Sequence, residues 1–138
     1  MPPQIEIPIG TTATHTQVVA YENTVQHHYP EMPPVFGTPF LIYLMEVAAT
    51  VAVQPFLPAG WVSVGTMVDI VHLAATPVGA TVTATAKLVE VDGFSFTFEV
   101  EAHDGIELIG KGRHGRAGID MARFMKRVEA KAETGKKQ

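Results

Sequence analysis

FLIYLMEVAATVAV, residues 40–53, is the stretch that decides the fold. It is apolar almost all the way round, with Glu46 as its only charge. Thr38 ahead of it is a good helix N-cap and Pro39 a good first helical residue, while Pro55 and Pro58 stop the helix. The run falls short of the ~18 apolar residues that a bilayer span needs. A helix apolar on all faces must be wrapped by protein, and a sheet is the natural wrapper.

Outward from this helix the chain reads as strands. TTATHTQVVAY (11–21) is rich in threonine and valine and predicts a strand, after an extended arm over residues 1–10. Four prolines and a glycine make residues 26–39 mostly loop. Beyond the helix, WVSVGTMVDIVHL (61–73), TVTATAKLVEV (81–91), the alternating stretch from Phe94 to His103 and IELIGKGRHGRAGI (106–119) predict four consecutive antiparallel strands. Asp92-Gly93 and Asp104-Gly105 are hairpin signals between them. Asp120 can cap a last amphipathic helix with Met121, Phe124, Met125 and Val128 turned inward, leaving 133–138 as a flexible tail. The expected fold is α+β in one domain, 1–138: a curved antiparallel sheet wrapped around one central helix, the hot dog arrangement. Its exposed edge strands and its apolar surface call for a second copy, so an isologous homodimer is expected.

Composition narrows the function. With 14 acidic and 10 basic residues the net charge is −4, which argues against nucleic acid as a partner. The chain has no cysteine, so a thiol nucleophile and thiolate metal sites are excluded. Among six histidines, His27 and His28 are adjacent rather than spaced as metal ligands, and no metal or other cofactor is expected. No charged segment followed by an apolar run opens the sequence, and a cytoplasmic, membrane-free protein is the default expectation.

Polar residues where the pattern wants apolar ones are the candidates for chemistry. Glu46 in an all-apolar helix is costly to bury unless paired, protonated or used; a solvent-facing side or a dimer ion pair is its ordinary explanation. His72 follows Val62, Val64, Thr66, Val68 and Ile70 at strand parity, on the face that should cover the helix, and can carry a proton near neutral pH. Thr38 is a cap by default, yet its hydroxyl lies where the helix N-terminus favours developing negative charge. Gly65 inside a strand marks either a bulge or a ligand close to the backbone.

These residues and their neighbours resemble the fluoroacetyl-CoA thioesterase family of hot dog proteins. The resemblance runs from about Thr24 to Glu129 and is strongest in TVQHHYP, PPVFGTPFLIYLMEVA, GTMVDIVHLAATPVG and AHDGIELIGKGRHGRAGI. It implies that Thr38, Glu46 and His72 form the catalytic set, and that Gly65 and Arg116 match the family's glycine near the acyl group and its late arginine. The family's namesake has a phenylalanine-bearing lid before the threonine. Here EMPPVFG leaves Phe36 as the only aromatic, so the fluorinated acyl group is not carried over.

The expected reaction is hydrolysis of a small acyl-CoA thioester, with Glu46 as nucleophile or general base, His72 moving the proton and Thr38 holding the carboxylate or the substrate oxygen. Coenzyme A enters only as part of the substrate. Arg116, Arg113 and Lys111 are candidates for its phosphates, and Phe36, Met32, Tyr43 and Met67 for the pocket wall. Two rivals stay open: a hot dog acyl-CoA hydratase, and a non-catalytic acyl-CoA-binding module of the same fold.

Overall fold

In the computed structural model, which describes residues 5–136, the expected strands form one antiparallel sheet. They are β1 (Thr12–Val18), β2 (Trp61–His72), β3 (Thr81–Asp92), β4 (Ser95–His103) and β5 (Leu108–Asp120). Their order is β1-β3-β4-β5-β2, so β2 crosses to the far edge instead of pairing with β3. A short helix α1 (Val25–His28) interrupts the proline-rich segment, and the central helix α2 runs Thr38–Val53. The arm is described only from Ile5 onward; there Ile7 enters the core and Gly10 N donates to Leu88 O at 2.8 Å.

Strict alternation builds the core. Val82, Ala84, Ala86 and Leu88 of β3 and Phe96, Phe98, Val100 and Ala102 of β4 are buried on one face, against Leu41, Leu44, Met45, Ala48, Ala49, Ala52 and Val53 of α2. Each large buried side chain stabilises by ~1.5–3 kcal/mol. Alanines on both sides let helix and sheet come close. At Gly110 an added Cβ would lie 2.8 Å from Leu41 Cδ2, so a larger residue would push that side chain aside where the first turns of the helix pack.

The sheet does not wrap α2 completely. Tyr43 and Val51 are exposed and Val47 half-buried, so the apolar stripe opposite the core is uncovered in the single chain. Counted with the 3₁₀ turn that follows it, the helix reaches 19 residues, Thr38–Phe56, long and apolar enough to cross a bilayer by length and composition. Packing on the sheet explains that apolarity for one of its faces.

Local geometry differs from the expectations at several points. Asp92 pairs with Ser95, so the first hairpin loop is Gly93-Phe94, with φ of 60° at Gly93 as a type II′ turn requires. Residues 104–107 form a longer turn, in which Asp104 accepts from the amides of Ile106 and Glu107, each at 3.0 Å. Its other oxygen accepts from buried Thr76, whose carbonyl takes the Phe36 amide at 2.9 Å, tying this turn to the segment before α2. The last helix, α3, runs Met121–Lys136, so helix continues through 133–136 where a flexible tail was expected. Met121, Met125 and Val128 are exposed rather than turned inward, and no residue of α3 is buried.

Candidate active site

The edge strand β2 sets the site. Gly65 pairs with Arg116 and Met67 with Gly115, so Thr66 is an extra, bulged residue. A bulge reverses the parity of a strand. Before it Ser63 and Gly65 face the helix; after it Val68, Ile70 and His72 do. The expected face Val62–Val64–Thr66 is therefore replaced by its neighbours. Only because of the bulge can Gly65 and His72, an odd number of residues apart, point the same way.

At the C-terminal end of β2, His72 Nδ1 lies 2.8 Å from Thr38 Oγ1. Gly37 is the N-cap of α2 and Thr38 its first residue, one place later than a capping threonine would stand. This frees the hydroxyl for the histidine. The pair lines a cleft of about 410 Å³ with Met32, Phe36 and Ala74 among its walls. Burial pushes the His72 pKa below its ordinary 6.5, so the ring is neutral at pH 7. Its Nε2 is buried with no hydrogen-bond partner among the described residues. Of the first-turn amides, Pro39 has none and Phe40 N is taken by Gly37 O at 3.0 Å, which leaves Thr38 N as that turn's amide for an oxyanion.

A second cluster surrounds Glu46. Arg116 Nη1 donates to Glu46 Oε2 at 3.2 Å, while its Nε donates to Ser63 Oγ at 2.8 Å and its Nη2 to Ser63 O at 2.7 Å. Nη1 also lies 3.1 Å from His114 Nε2, and His114 Nδ1 lies 2.8 Å from Met67 O. Gly65 makes room for the carboxylate: a Cβ there would sit 2.8 Å from Oε2. Arg116 engages only Oε2, leaving Oε1 of the half-buried Glu46 to act elsewhere.

The expected set is thus divided. Thr38 and His72 meet, but Glu46 stands eight residues along α2 from Thr38, about 12 Å of helix rise. Arg116 is buried and committed to Ser63 and Glu46, not displayed to a phosphate as expected. Lys111 and Arg113 line a separate surface groove with Glu99 and Glu101. Of the pocket-wall candidates Phe36 and Met32 line the cleft; Tyr43 and Met67 are exposed elsewhere. Ser63 and His114 escaped the sequence reading: a serine and a histidine in a strand have no distinguishing pattern until the bulge is known.

Residues 19–122 match the model of the family described as fluoroacetyl-CoA-specific thioesterase. A fluoroacetyl-CoA thioesterase from Streptantibioticus cattleyicolor is 43% identical over 133 residues, 92% of this chain and 96% of its own. A variant of the fluoroacetyl-CoA thioesterase FlK, solved in complex with fluoroacetate and CoA, is 44% identical with a TM-score of 0.80, over 86% of this chain and 99% of that one. A Thermus thermophilus protein described as a thioesterase superfamily member has a TM-score of 0.90 at 28% identity, over 96% and 98% of the two chains. The curled sheet, its central helix and these neighbours define a hot dog fold thioester hydrolase. Within that class, the chain belongs to the fluoroacetyl-CoA-specific thioesterase family.

Half-buried His72 and buried His114 give folding a pH dependence of definite sign. Burial lowers the pKa of His72 and, with the Arg116 charge adding to it, that of His114, both from 6.5. Groups with depressed folded pKa values bind more protons when unfolded, so their contribution is present above pH 6.5 and lost on acidification. The unfolding temperature is expected to fall as pH drops below about 6.5, and the fall should shrink in His72→Gln. Thermal scans from pH 8 to 5 check this; a flat profile would rule it out.

Proposed function

We propose that the protein hydrolyses a small acyl thioester of coenzyme A at a site shared by two protomers, Thr38 and His72 from one and Glu46 from the other. The observation that carries this reading is the separation of Glu46 from the Thr38–His72 pair along one rigid helix. The uncovered surfaces supply the means of joining them. Edge strand β2 exposes Met67, Val68 and Val71, and α2 exposes Tyr43 and Val51. An antiparallel pairing of β2 with its copy, centred on Asp69 and passing over the bulged Thr66, sets Gly65 opposite the partner's His72. Glu46 lies against Gly65, so its carboxylate comes within reach of the other protomer's cleft.

In this arrangement Glu46 Oε1 supplies the attack on the carbonyl, directly or by deprotonating water. Thr38 donates to His72 Nδ1 and fixes the tautomer that carries its proton on Nε2. That N–H hydrogen-bonds to the departing sulfur, one proton of the attacking water ends on the thiolate, and water provides the second oxygen of the carboxylate product. Phe36 and Met32, at the wall of the cleft, limit the acyl group to a small one.

Thiol release from short, branched and aromatic acyl-CoAs tests the reading. Glu46→Gln and His72→Ala should each lower kcat by roughly 10²-fold or more. A chain that binds acyl-CoA but releases no thiol from any of them would instead be a binding module.

A further inference from the structure

The geometry points to His114 as a positioning residue, one that aims the Arg116 guanidinium so that Glu46 is held at the site. The inference rests on Glu46 being used as proposed above. His114 is 1% exposed, lies in β5 opposite Val68, and stacks on Phe98 with ring centroids 6.4 Å apart. Its two ring nitrogens have different duties. Nδ1 faces a carbonyl, Met67 O at 2.8 Å, and so must carry the hydrogen. Nε2 is then the acceptor, and it faces Arg116 Nη1 at 3.1 Å. Arginine has no other role there than donor.

Nη1 carries two hydrogens, and this divides them: one to His114 Nε2, the other to Glu46 Oε2 at 3.2 Å. With Nε and Nη2 held by Ser63, the guanidinium plane is fixed at each of its three nitrogens. A buried arginine with a missing acceptor would turn to recover one, and the carboxylate would lose its direction. The neutral state of the ring is required by the same contacts. A protonated His114 would place a second cation against Arg116 and offer it no acceptor. Around the ring, the charged groups are Arg116 from β5 and Glu46 from α2, while β4 presents Phe98 and β2 the Met67 carbonyl. Burial and the Arg116 charge both hold the His114 pKa low. The Met67 contact also sits directly beyond the bulge, so one ring links the register of β2 to the catalytic carboxylate.

Two amide substitutions separate positioning from mere structural support. His114→Gln can set a carbonyl oxygen near the former Nε2 and keep an acceptor for Arg116. His114→Asn can keep a donor near the former Nδ1 for Met67 O but leaves Arg116 short. Thiol release from acyl-CoA is measured for both, with Glu46→Gln alongside and unfolding temperatures for all. The expected result is kcat near wild type in His114→Gln and a loss of about 10-fold or more in His114→Asn at similar KM, since small misplacements of a reacting group are costly. Equal activity in the two folded variants, or rescue by Asn instead of Gln, overturns the inference. Full activity in Glu46→Gln overturns it together with the proposed function, whereas a dead Glu46→Gln with an unaffected His114→Asn overturns it alone. Should either variant fail to fold, ¹⁵N chemical shifts of His114 in the wild-type protein decide. A protonated Nδ1 and bare Nε2 at pH 7 are required, and the opposite tautomer or an imidazolium sinks the idea.

Discussion

Co-expressing Glu46→Gln with His72→Ala is expected to restore thiol release far above what either variant shows alone. In a mixed dimer, the Glu46→Gln protomer still offers an intact Thr38–His72 pair, and the His72→Ala protomer an intact Glu46. One of the two sites is then complete and the other carries both lesions. Random assortment makes about half of the dimers mixed, so the preparation should reach about a quarter of wild-type activity. Against variants down by roughly 10²-fold, that recovery is a large effect. Activity that stays at the sum of the separate variants would mean that all three residues act within one chain. Glu46 and the Thr38–His72 pair would then meet different parts of one substrate across the helix rise between them.

Arg116→Leu carries the largest expected stability loss. Its ion pair with Glu46 contributes little by itself, because the carboxylate is 34% exposed and solvent screens it, about 1 kcal/mol at most. The groups left behind decide the outcome. Ser63 O, Ser63 Oγ and His114 Nε2 lose charged donors inside the protein, and each orphaned buried group costs ~1–3 kcal/mol. Allowing for relaxation and water entry, a destabilisation of about 3 kcal/mol is expected, or roughly 10 °C in the unfolding temperature. Adding Ser63→Ala should recover part of it by removing one stranded hydroxyl. An unfolding temperature within two or three degrees of wild type would show that Arg116 is dispensable to the fold.

The sequence carried the fold through its periodicities. Alternation at Phe96, Phe98, Val100 and Ala102, and the apolar run of α2, survive intact because burial of those residues is the dominant energy. What it hid are features decided by one residue of register. The dipeptide Asp92-Gly93 names a turn without saying which residues occupy its corners; the pairing of Asp92 with Ser95 moved them by one. Nothing in GTMVDIVH announces that Thr66 is extra, and so strand parity points to Val62, Val64 and Thr66 where Ser63 and Gly65 face the helix. Thr38, Glu46 and His72 stood out as polar residues at apolar places. Their division into two clusters did not, since it follows from helix length and strand direction together. His114 could not be chosen over five other histidines before its neighbours across the sheet were known.

The bulge at Thr66 also governs how this stretch can change over descent. Because its service is to add one to the count, a change of letter there leaves the side chains of Gly65 and His72 on their common face. Loss of a single codon between them turns one of the two outward, whatever residues remain. The strand is therefore tolerant of spelling and intolerant of length. Among descendants of this chain, the number of residues from Ser63 to His72 should be held more strictly than most of their identities.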